Sequence, residues 1–196
     1  MPGFDSSGPA DFRAAVQDVH ASVFRPELVV HELTAPTGLA PFAFALAADV
    51  RPAQHGIDSV LGTGRFVLLY DADQPDAWGG AFRVVCFAQA PLEPEIGSDP
   101  FLAGVAWSWL MDSLSARGAS AAAASGTATT QLSTGYGELS GQGDGALIEL
   151  RASWSPTNGG FTAHAEAWGD LLALLAGLPP ASDVVGLLPQ FRAARD

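Results

Sequence analysis

Glu93, Glu95 and Asp99 are the carboxylates best placed for chemistry, because they lead directly into a predicted helix that carries Trp107 and Trp109. Paired acids beside aromatic side chains can do glycosidase-type acid–base work when burial raises one pKa. A structural reading competes with this. Asp99 would cap the helix while Glu93 and Glu95 favour its positive N-terminal end, and caps are far commoner than catalytic pairs. His164 is the other weak catalytic candidate. It falls on the apolar face of a later helix, one turn before Trp168, where a histidine is usually a satisfied core residue and only sometimes a proton-transfer group.

Trp107, Trp109, Trp154 and Trp168 are candidates for ligand or partner binding, since tryptophan is bulky, flat and carries one N–H donor. They are equally candidates for core or for interface anchors. At 100° per residue Trp107 and Trp109 fall on opposite sides of one helix, so one faces the sheet and the other needs different cover. That asymmetry points to self-association or a protein partner, and leaves a small-molecule ligand open.

Other motifs fail on inspection. His31-Glu32 opens HELTA, which lacks the second histidine of a zincin and lies on a predicted strand. Asp71, Asp73 and Asp76 have Asp76 and Phe82 where a calcium loop needs Gly and Glu, and read as a solvated hairpin tip. Gly135, Gly137 and Gly141 miss the dinucleotide spacing, and glycines follow where a helix should begin. Cys86, the single cysteine, sits mid-strand among apolar neighbours as an inert thiol, so neither a disulfide nor a cysteine metal site is expected. No G-x-S-x-G elbow is present. No cofactor and no metal site is expected.

Composition narrows the classes further. The net charge is −12, there is no lysine, and the nine arginines are scattered apart from Arg192 and Arg195. Nucleic-acid binding needs a basic stripe to displace counterions, so direct DNA or RNA binding is not expected. Lysine-dependent chemistry, from Walker A phosphate binding to Schiff bases, is excluded. The segment MPGFDSSGPADF has no basic or apolar signal region, and the apolar runs 39–50 and 171–178 are too short to span a bilayer. A cytoplasmic location without a membrane anchor is the expectation.

The elements that would position these residues follow from periodicity. Phe12, Val16, Val19 and Val23 make one stripe of a helix over 9–23. Strands are predicted over 27–33, 43–50, 65–70, 81–90, 127–133 and 146–155. The strands at 65–70 and 81–90 are apolar on both faces, which an antiparallel sheet with one wet face would not be. Their second face therefore calls for a helix, a long segment or a second subunit. The central helix starts with Asp99 as N-cap and Pro100 at the first position, is apolar almost all round, and ends before Gly118. Another helix runs over 162–176 and stops at Gly177. Gly64 and Trp107, then Gly126 and Trp168, recur at similar spacing, which suggests a ββα duplication.

Three blocks carry a resemblance: LEPEIGSDPFLAGVAWSWLMDSL (92–114), GALIELRASWSP (145–156) and WGDLLALLAGLPP (168–180). They resemble the corresponding blocks of an uncharacterised actinobacterial family, a domain-of-unknown-function group, over about Arg25 to Pro180. The resemblance implies a cytoplasmic protein and supplies no activity, cofactor or catalytic residue. The expected fold is α+β, a single domain over 1–180 with an antiparallel sheet of about six strands packed with three helices. Residues 181–196 are expected to form a loosely structured tail. The leading functional expectation is a non-catalytic interaction or ligand-binding protein, dimeric; the alternative is an acid–base hydrolase using Glu93 or Glu95 beside the Trp107/Trp109 helix.

Overall fold

The described residues form six strands: β1 (Leu28–Leu33), β2 (Phe42–Val50), β3 (Gly62–Tyr70), β4 (Phe82–Leu92), β5 (Ala121–Ser133) and β6 (Gly145–Pro156). They form one antiparallel sheet in the order β1-β2-β3-β4-β6-β5. Among the described residues four α-helices accompany them, α1 (Ala10–His20), the single turn α2 (Pro94–Gly97), α3 (Leu102–Ala116) and α4 (Phe161–Leu175), with a 3-10 helix over Gly137–Gln142 between β5 and β6. The computed structural model describes residues 8–51, 60–142, 144–158 and 160–180, so the expected tail lies outside the described residues.

The core lies between one sheet face and the helices. Leu46, Phe66, Val84, Cys86, Ile148, Leu150 and Trp154 point into it, and Trp168 of α4 is completely buried against Phe66. The Trp168 indole N–H donates to the Phe87 carbonyl at 3.3 Å, tying α4 to the sheet's backbone. Two strand glycines set how close the helices come. A methyl group on Gly64 would lie 2.6 Å from Leu172 of α4, and one on Gly126 would lie 2.8 Å from Trp107 of α3. The helix that follows the first hairpin thus packs on β5, while the helix that follows the second packs on β3 and β4.

Both long helices end as their glycines predict. Gly118 and Gly177 have φ of +67° and +76°. Ala119 N–H returns to the Leu114 carbonyl and Leu178 N–H to that of Ala173, the six-residue closure of a Schellman motif. Arg117 at the first of these ends bonds Asp170 and Glu166 of α4, each at 2.7 Å, and clamps the two helices together.

Several boundaries differ from expectation. α1 stops at His20, because Val23 N–H is drawn to the Glu166 carboxylate at 2.9 Å instead of continuing the helix, and Val23 stands exposed. α3 begins at Leu102. Asp99 acts one turn earlier, accepting the Phe101 N–H at 2.8 Å in a local turn. β5 starts at Ala121 and includes the alanine run, since cross-strand pairing with β6 overrides alanine's helical preference.

Candidate interaction surface

Strand period two divides each strand between faces, and every α-helix of the described residues packs on the same one. The opposite face carries rows that cross the sheet. One row is Leu33, Ala45, Val67, Val85, Ser153 and Ser125; the next is His31, Ala47, Arg65, Phe87, Arg151 and Thr127. Val67, Val85 and Phe87 are half-buried and do not join the core, while Ala45, Leu69 and Ser155 on the same face are buried. The doubly apolar character of β3 and β4 therefore has no helix to explain it on this side.

Charge on this face differs from the rest of the acidic chain. Its strands bring three arginines, Arg65, Arg83 and Arg151, against two carboxylates, Asp49 and Glu149. Arg151 bonds Glu149 at 2.8 Å and holds its guanidinium carbon 5.8 Å from the Phe87 ring centroid. Arg83 reaches across two strands instead. Its guanidinium donates to Ser155 Oγ at 3.1 Å, to Ser153 Oγ at 2.7 Å and to Ser125 Oγ at 3.5 Å. Burial lowers its pKa from the ordinary arginine value, and no carboxylate among the described residues offsets its charge. The sequence held no signal for this cluster, since its members come from three strands.

The acid–base candidates lie apart. Glu93 and Glu95 are exposed at the turn that opens α2, whose Gly97 packs on Ala146 at the start of β6. His164 is buried near the other end of that strand, where Trp154 Nε1 donates to its Nδ1 at 3.0 Å. Ala146 and Trp154 lie eight positions apart along β6, roughly 26 Å at ~3.3 Å per step. The Trp154 bond leaves the ring proton on Nε2, which has no acceptor among the described residues, and burial pushes the His164 pKa down to about 4. His164 is thus a neutral core group with no path to Glu93 or Glu95.

The four candidate tryptophans differ in burial. Trp154 and Trp168 are wholly buried, Trp107 lies over Gly126, and Trp109 is half-buried against the core. The exposed apolar residues at the start of α3 are Phe101 and Val105. Asp71 is used by its own turn, accepting the Asp73 N–H at 3.0 Å, and His31 stands exposed on β1. Cys86 is buried mid-sheet, and burial pushes its thiol up to about 12. Among the described residues no three or more of His, Cys, Asp and Glu are grouped to hold a metal ion, and no helix is long and apolar enough to cross a membrane.

A groove of about 760 Å³ opens where α1 overhangs the sheet edge. β1 ends at Leu33 opposite Ala45, so the stretch Phe42–Phe44 of β2 has no β1 partner there. Phe12, Val16, Phe42 and Phe44 supply an apolar lining, with Arg13 near one end of α1 and the His20–Glu32 pair, 3.7 Å apart, near the other.

No curated protein and no solved structure matches the chain. A family model does match, over residues 8–185, and by it the chain belongs to the family described as protein of unknown function (DUF3000).

Proposed function

We propose that this is a non-catalytic cytoplasmic binding protein that works through its uncovered sheet face and seats a second copy of itself there. The observation that carries the reading is the one-sided placement of the helices, which leaves Val67, Val85 and Phe87 without cover among the described residues. Extent supports it as well. Six strands span five gaps of ~4.8 Å and run about nine residues of ~3.3 Å, a flat area of roughly 700 Å² of the order of the ~800 Å² per partner of a stable interface, with Ala45, Leu69 and Ser155 within it already buried. Charge favours a second copy, because two chains of net −12 repel everywhere except where arginines balance the acids. Light scattering should find a dimer that Phe87→Glu converts to monomer. A wild-type chain that stays monomeric at ~100 µM, far above the Kd of a specific interface, would sink the proposal.

A second reading rests on the α1 groove, whose size suits a small molecule. An apolar carboxylate would lay its body on Phe12 and Phe44 and its charge by Arg13. Calorimetry with 4-phenylbutyrate should show binding that Val16→Trp removes by filling the groove; equal heats from both proteins would reject this site. The hydrolase reading has less support, since Glu93 and Glu95 are exposed and His164 is buried near the far end of β6.

A further inference from the structure

Around Arg83 the hydrogen-bond inventory does not close. A guanidinium carries five N–H donors and accepts nothing, and a hydroxyl that accepts from it keeps its own O–H to donate. Ser125, Ser153 and Ser155 all stand in that relation to Arg83, so four side chains converge with donors left over and no carboxylate bonded to them among the described residues. The ladder is irregular at the same place. β5 bulges between Ala122 and Ser125, and Ala123 there is held at φ +48°, a conformation that costs a non-glycine residue energy. Such a cradle fits a monoanionic oxygen acceptor, because one carboxylate balances one arginine.

The same face holds two carboxylates. Glu149 is already bonded to Arg151, whereas no hydrogen bond or ion pair among the described residues engages Asp49. On β3, Asp49 stands opposite Thr63 and Arg83 opposite Leu69, so the two groups flank the middle of the face from β2 and β4. In a two-fold contact residue i meets j and j meets i, which makes every such pair occur twice.

We infer that the Arg83–serine cradle receives the partner's Asp49, and that Asp49 is received in turn by the partner's Arg83. This rests on the reading that the open face seats a second copy, and specifies its register. Desolvated carboxylate–guanidinium pairs hold such a register because any shift leaves both charges unpaired.

Charge reversal tests it. Arg83→Asp and Asp49→Arg should each weaken self-association at least tenfold by analytical ultracentrifugation. Mixing the two reversed chains should restore a heterodimer to within about threefold of wild type, since each acid then meets an arginine. Should either reversed chain fold poorly, Arg83→Gln and Asp49→Asn in a double-mutant cycle serve instead, and non-additive losses are expected. A wild-type dimer that Phe87→Glu dissociates, but that both reversals leave intact or whose reversed chains stay apart when mixed, overturns this register and spares the face. A monomeric wild type overturns both.

Discussion

His164 shows how one side chain can set pH behaviour without doing chemistry. In the unfolded chain it takes a proton near pH 6.5, whereas in the core it resists protonation until about pH 4. Its contribution is therefore complete above pH 6.5 and is lost as pH falls from there through about 4. The loss reaches on the order of 3 kcal/mol. Urea unfolding at pH 7 and pH 4.5 should show it. His164→Leu should flatten that slope while costing about 1–3 kcal/mol at pH 7, because the buried Trp154 indole N–H loses its acceptor. A slope unchanged by the substitution would mean that other groups carry it. His164's place on an apolar helical face was legible from spacing; its bond to Trp154 was not, because that partner arrives from β6.

Glycines separate two kinds of demand at the scale of an element. Gly177 ends α4 with positive φ and open space around it, so Gly177→Ala should cost only the backbone term, about 1 kcal/mol. Gly64 has the opposite problem. An alanine there meets Leu172 and the Phe87 carbonyl at 2.6 and 2.9 Å, and overpacking should cost about 2–3 kcal/mol in thermal or urea melts. Equal costs at the two sites would contradict this account. Helix ends were readable because their signals are local: Gly118, Gly177 and the prolines after it act within a few residues. Starts fared worse. α1 ended early because Glu166 claimed the Val23 donor, and α3 began at Leu102 although Asp99 accepts the Phe101 N–H as a cap would. The alanine run of β5 has no strand signature of its own and became strand only through β6.

For the whole molecule the consequence is a division of labour between faces. Substitutions on the helix side should act on stability, and substitutions on the open side on association. Phe87 illustrates the split, since its carbonyl is held from below by Trp168 while its ring faces outward beneath Arg151. Phe87→Glu should therefore leave the melting temperature nearly unchanged at concentrations where wild type is also monomeric, as surface substitutions outside the core do, while abolishing the dimer. A large fall in stability with association intact would reverse the assignment of the faces.

Residue order alone determined that β3 and β4 are apolar on both sides, that the chain is α+β, and that glycines close the two long helices. These are properties of short windows, where period and turn chemistry speak directly. Only the tertiary structure decided that the α-helices of the described residues share one face, that α3 packs on β5 while α4 packs on β3 and β4, and that Arg83 gathers serines from β5 and β6. Such contacts join residues tens of positions apart, and their energy comes from burial and pairing that no window of sequence contains.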